Sequence, residues 1–103
     1  MPQGFLLLQN FPNPFNPSTK IKFTVPFVKT NRDASLPVTL KVYDVLGNEV
    51  ATLVNEEKQS GTYEVEFNIH SNSGKGRNLT SGIYFYQLKA GDFVQARKMV
   101  YLK

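Results

Sequence analysis

The chain has 103 residues, 41% hydrophobic and 13% aromatic, with a formal net charge of +4, no cysteine and one histidine. This length gives one domain with one modest core, and this composition is globular rather than disordered. Disulfides, thiol catalysis and thiolate metal sites are excluded, and a lone His70 argues against a zinc site or a Ser/His/Asp triad.

Residues 1–4 read as a linker or vector-derived start, and residues 1–8 are set ahead of the domain as a linker, although residues 5–9 have the length and composition of a short strand. Leu6-Leu7-Leu8 lacks the basic flank and the length of a signal peptide, so export would need a signal on a longer precursor. No apolar run approaches membrane-spanning length. Residues 10–19 are shaped by proline: each residue before a proline is pushed to extended geometry, giving a stiff, kinked segment with Phe11 and Phe15 as aromatic anchors. It suits a cover over one end of a sheet better than a polyproline ligand.

Residues 19–25 alternate, with Ile21, Phe23 and Val25 inward. Residues 27–36 form a polar loop with its tip at Asn31-Arg32-Asp33, and Pro37 opens a strand with Val38, Leu40 and Val42 inward. Residues 44–48 are a hairpin turn, with Gly47 or Asn48 at positive φ. The returning strand over 49–54 changes parity between Val50 and Leu53, which predicts a bulge. A charged loop over 55–60 follows. Residues 62–69 are the clearest strand, with Tyr63, Val65, Phe67 and Ile69 on one face. The Ser-, Asn- and Gly-rich stretch 70–78 reads as a loop, and its Ser73-Gly74-Lys75-Gly76 lacks both the spacing and the helix of a phosphate cradle.

The last quarter organises the chain. Residues 83–89 and 93–102 are two strands joined by Gly91-Asp92, with Tyr84, Tyr86 and Leu88 on one face and Ile83, Phe85 and Gln87 on the other. Leu79-Thr80-Ser81-Gly82 breaks the chain just before Tyr84. That spacing suits a tyrosine corner, a buried ring whose hydroxyl bonds to upstream backbone, and it equally suits an ordinary core tyrosine. The apolar pattern continues to the last residue but one, so the final strand is packed. Such a terminus is either structural or read by another protein, and the pattern alone favours the structural role.

Short strands at regular spacing, with Gly, Pro and Asn between them, give an all-β fold: an immunoglobulin-like sandwich of about seven antiparallel strands in two sheets. The expected core holds Ile21, Phe23, Leu40, Val42, Val65, Phe67, Tyr84, Leu88 and Val100. No cofactor, metal or catalytic constellation is indicated, and the chain reads as a non-enzyme. Scattered lysines and arginines fit solubility and edge protection rather than a nucleic-acid stripe.

Four blocks together carry a resemblance: Asn10-Phe11-Pro12-Asn13-Pro14-Phe15-Asn16-Pro17-Ser18-Thr19, Val42-Tyr43-Asp44-Val45-Leu46-Gly47-Asn48-Glu49-Val50, Ser81-Gly82-Ile83-Tyr84, and Lys98-Met99-Val100. In this order and spacing they resemble the type A C-terminal sorting domain of the type IX (Por) secretion system, which is similar to the immunoglobulin-like domain of the flagellar hook-capping protein. Pro12, Asn13, Pro14, Phe15, Tyr43, Gly47, Gly82 and Tyr84 carry the family motif. The resemblance implies a domain that directs an N-terminal passenger from the periplasm across the outer membrane. Its partners would be translocon and sortase proteins, with sortase removal and attachment of the passenger to the cell surface. It places recognition in the last strand, at Lys98, Met99, Val100, Tyr101, Leu102 and Lys103. The Gly- and Ser-rich 70–78 loop departs from the pattern. An exposed edge of that strand would suit recognition by β-augmentation. The alternatives are an accessory spacer or carbohydrate-binding module using Phe27, Phe93 or Tyr101 as a platform, and a flagellar cap role.

Overall fold

The computed structural model describes residues 5–26, 35–69 and 79–103. The expectations for residues 1–4, for the 27–34 part of the polar loop with Phe27, and for the 70–78 loop with His70 lie outside them.

Seven strands form two antiparallel sheets: β1 (Leu6–Leu7), β2 (Ser18–Val25), β3 (Ser35–Tyr43), β4 (Glu49–Gln59), β5 (Gly61–Asn68), β6 (Gly82–Ala90) and β7 (Phe93–Tyr101). The first sheet runs β1-β2-β5 and the second β4-β3-β6-β7. The pairs β1/β2, β3/β4 and β6/β7 are consecutive neighbours within a sheet, while the chain crosses between sheets from β2 to β3, from β4 to β5 and from β5 to β6. Alternate side chains of both inner faces make one core, including Ile21, Phe23, Leu40, Val42, Phe67, Tyr86, Leu88 and Met99 at 0% exposure.

β4 extends to Gln59, so the expected charged loop over 55–60 is strand, and Ser60 alone separates it from β5. The charges misled: Glu56 and Glu57 face solvent from an edge strand, where charge is at home, half-buried Lys58 lies over the Tyr63 ring, and the backbone of the three pairs with Val38, Pro37 and Leu36 of β3. β3 accordingly starts at Ser35 rather than Pro37. The parity change in β4 is bulged as expected: Leu40 pairs with Val54 but Lys41 with Thr52, and a second shift leaves Val50 unpaired.

Of the expected core residues, Val100 sits elsewhere and Val65 is only half-buried. Val100 is half-buried on the outer face, and Met99 and Tyr101 are the buried residues of β7. The reason lies in the turn. Gly91-Asp92 is a two-residue connection pairing Ala90 with Phe93, with Gly91 at φ +59. Counting back from it sets Tyr84 opposite Met99 and Ile83 opposite Val100, and opposed residues share a face. Val65 faces the core from the edge strand β5 and stays half-buried.

Residues 5–8, set aside as linker, are built into the sandwich. β1 pairs with β2 through Leu6 and Leu7, and Leu7 is fully buried.

Candidate functional site

The terminal strand is stitched in from two sides. On one side lies the β6 ladder, from Gly82–Tyr101 to Ala90–Phe93. On the other lies the proline-shaped segment. Phe15 donates its N–H to the Val100 carbonyl at 2.9 Å and accepts from the Leu102 N–H at 3.1 Å, forming a parallel bridge to Tyr101. Asn13 Oδ1 accepts the Val100 N–H at 2.9 Å. The Phe15 ring is 2% exposed, packed edge-on against Phe67 and tilted against Tyr101. The chain bends through residues 12–14 and 16–17 around its prolines, and between the bends Asn13 and Phe15 present amide and backbone groups to a strand edge. Phe11, by contrast, is 78% exposed and anchors nothing in the core.

The segment is itself braced. Asn10 is buried; its Nδ2 donates to Thr19 Oγ1 at 3.0 Å and to the Pro12 carbonyl at 3.2 Å, and the Thr19 hydroxyl donates to the same carbonyl at 2.8 Å. The Tyr86 hydroxyl accepts the Asn10 N–H at 2.8 Å and donates to the Leu8 carbonyl at 2.7 Å. Burial of Tyr86 raises its pKa above the ordinary tyrosine value; the Asn10 N–H and the Arg97 charge pull the other way. Arg97 Nε reaches the Leu7 carbonyl at 2.5 Å and Gln9 Nε2 the Lys98 carbonyl at 2.8 Å, closing the seam between β1 and β7. The bracing roles of Tyr86, Arg97, Gln9 and Asn10 are not legible in the sequence, because their partners lie 76 to 90 residues away or depend on local loop geometry.

The outer edge of the final residues is therefore occupied, contrary to the expected open edge for β-augmentation. The N–H and carbonyl of Val100 and the N–H of Leu102 are taken by Asn13 and Phe15. Of the six residues expected to be recognised, Met99 and Tyr101 are core, and Lys98, Val100, Leu102 and Lys103 present side chains outward or at the strand end. Tyr101 and Phe93 also make no aromatic platform: Tyr101 is 2% exposed, and half-buried Phe93 stacks on Phe5 at 4.6 Å.

The other motif residues are brought to the same end of the sandwich. Tyr84 is a tyrosine corner: its ring is buried and its hydroxyl donates to the Thr80 carbonyl at 2.7 Å. Gly82 sits at φ +149, a conformation side chains other than glycine's resist. Beside it, Ser81 Oγ accepts the Lys103 N–H at 2.9 Å, tying the last residue to the corner. Gly47 takes positive φ in the 44–48 turn, at +87. Tyr43 lies next to that turn, opposite Phe85 on the outer face.

The result is an all-β sandwich whose terminal strand is clasped at both edges and whose motif residues serve turns and braces. The sequence profile of the secretion system C-terminal sorting domain matches residues 9–102, and the chain belongs to that family. It is a C-terminal sorting signal for type IX secretion, acting with a secretion system on an attached passenger that is exported through the periplasm and outer membrane to the cell surface or beyond. The family is a sorting-signal family, not a catalytic one. No curated protein and no solved structure matches the chain significantly.

Proposed function

We propose that the export machinery reads the outward side chains at the end of this domain, Lys98, Val100, Leu102 and Lys103, and that Met99 and Tyr101 hold them in place from the core. The observation that carries this reading is the split within six residues: alternate side chains are buried in the sandwich while their neighbours face out, with Leu102 52% exposed. The occupied backbone edge supports side-chain reading of the clasped strand over simple strand addition. Residues 1–103 act as one sorting unit, and after export a sortase removes it and joins the passenger to a surface glycolipid.

The test uses a reporter fused to residues 1–103 in a host with and without the secretion machinery. Deleting the last residues would remove Met99 and Tyr101 and confuse unfolding with loss of signal. Lys98→Glu, Val100→Thr and Leu102→Ser leave the core side chains in place. Loss of export with an unchanged melting curve supports the reading; wild-type export by the triple variant refutes it. Mass spectrometry of the exported reporter's C-terminus reports on removal: an intact domain on the surface protein refutes the sortase step.

A further inference from the structure

The outer face of the second sheet carries an apolar corner that the fold does not use. Val45 and Leu46, at the tip of the β3–β4 turn, are 64% and 82% exposed, and Ile83 and Phe85 of β6 are 41% and 37% exposed. The β6–β7 register puts Val100 beside Ile83 and Lys98 beside Phe85 on this face. Between the turn and the start of β6 lies a cleft of about 570 Å³, walled by residues 44–46 on one side and 79–84 on the other.

Both walls are fixed. Asp44 Oδ1 accepts the N–H groups of Leu46 at 3.0 Å and Asn48 at 2.9 Å, and backbone bonds between Asp44 and Asn48 and between Gly47 and Asp44 close the turn. The opposite wall is held by the Tyr84–Thr80 and Lys103–Ser81 bonds. The apolar tips are thus held out in water in one arrangement. Their ordering cost is already met in folding, which is how binding anchors gain affinity. Contiguous apolar surface beside a concave site marks an interaction surface.

Charge narrows the partner. Lys98 projects beside Phe85, and Lys89 stands further along β6 towards the Gly91-Asp92 turn, both without an ion pair among the described residues, while Lys41 is paired to Glu49 at 3.4 Å and the Asp44 carboxylate in the cleft wall is engaged by the turn's own Leu46 and Asn48. An apolar centre with a cationic margin matches an apolar segment bordered by carboxylates. A bilayer would meet the protruding Leu46 but leave the cleft unfilled, whereas polypeptide side chains can enter it. We propose that this corner docks an apolar, carboxylate-flanked segment of a partner protein. Its assignment to the export machinery rests on the sorting reading; the surface itself does not.

The ¹⁵N-labelled domain is titrated with three probes: a synthetic peptide of leucine, valine and phenylalanine flanked by glutamates, the same peptide flanked by lysines, and phosphatidylglycerol vesicles. Expected are amide shifts at Val45, Leu46, Ile83 and Phe85 with the glutamate-flanked peptide, at least tenfold weaker binding of the lysine-flanked one, and at least tenfold loss in the Val45→Ser/Leu46→Ser variant with an unchanged melt. Absent shifts at these residues, equal binding of the two peptides, or binding of vesicles alone overturns the proposal. In the reporter fusion, periplasmic retention of the double variant assigns the surface to an export partner, and wild-type export overturns that assignment. Failure of the wild-type fusion to leave sinks the sorting reading instead, and the titration still decides the docking surface.

Discussion

The clasp over β7 makes a local prediction that a merely stable sandwich would not. Asn13→Ala removes the acceptor of the Val100 N–H and nothing from the core, because Asn13 is exposed. A net hydrogen bond contributes about 0.5–1.5 kcal/mol, so amide exchange at Val100 should speed up about 2- to 10-fold. Leu102, whose N–H goes to the Phe15 carbonyl, should change less. Met99 and Tyr101, whose amides face β6 by the alternation of the ladder, should not change. Phe15→Ala acts on both levels at once. It empties a site 2% exposed between Phe67 and Tyr101 and should cost about 3–5 kcal/mol globally. Native-state hydrogen exchange followed by NMR separates the two cases. Exchange of Val100 unaltered by Asn13→Ala, or altered only in step with Met99 and Tyr101, would refute the clasp as a separately opening element.

Four further substitutions probe the supports behind it. Tyr86→Phe leaves the Asn10 N–H and Leu8 carbonyl unpaired and should cost about 1–3 kcal/mol in urea unfolding. Because burial raises the Tyr86 pKa, the folded state keeps its proton to higher pH than the unfolded chain. That contribution is complete below the ordinary tyrosine value of about 10 and is lost as pH rises through the raised folded value, so wild type should lose melting temperature above about pH 10 more steeply than Tyr86→Phe. Gly82→Ala, at φ +149, should destabilise by more than about 1 kcal/mol, whereas Tyr84→Phe should cost about 0.5–1.5 kcal/mol, since the exposed Thr80 can return its carbonyl to water. Phe67→Ala, at a fully buried position, should cost about 3–5 kcal/mol by the same unfolding assay; a loss below about 0.5 kcal/mol would place its ring outside the core.

What was legible in the sequence followed from local chemistry. Alternation marked β2, β3, β5 and β6 and the Gly-Asp turn set the final hairpin, while the Gly82–Tyr84 spacing left a corner and an ordinary core tyrosine open until the Tyr84–Thr80 bond decided between them. The blocks that carry the family resemblance are the turns and braces of the structure, so the sorting assignment was legible as well. The misses share a cause. Strand 55–59 was hidden because its charges are those of an edge, which differs from a loop only in having a partner strand. Val100 was assigned to the wrong face because hydrophobicity alone does not set parity at a strand that is apolar on both sides; the turn register does. The Arg97–Leu7 and Tyr86–Leu8 bonds join chain ends, and no short window of sequence contains both partners.

Residues 1–8 give the final prediction, because two readings of them differ in outcome. The family match begins at residue 9, and a domain drawn to that match leaves residues 1–8 as a linker. If that is all it is, removing residues 1–8 leaves stability unchanged. In the structure, Leu7 is fully buried, its carbonyl accepts from Arg97, and the Leu8 carbonyl accepts from Tyr86. Deletion therefore empties a core site, which costs about 2–5 kcal/mol for a buried leucine. It also leaves the buried Tyr86 hydroxyl without its acceptor, adding about 1–3 kcal/mol. Against a total of about 5–15 kcal/mol for a domain of this kind, the shortened chain should be marginal. Urea unfolding of residues 9–103 beside the full chain measures the difference. An equal midpoint would return residues 5–8 to the status of a tether. A large loss, partly restored when only residues 1–4 are removed, would make β1 part of the folded unit, and any reporter fused to this domain must then carry it from Phe5 onward to test the signal rather than the fold.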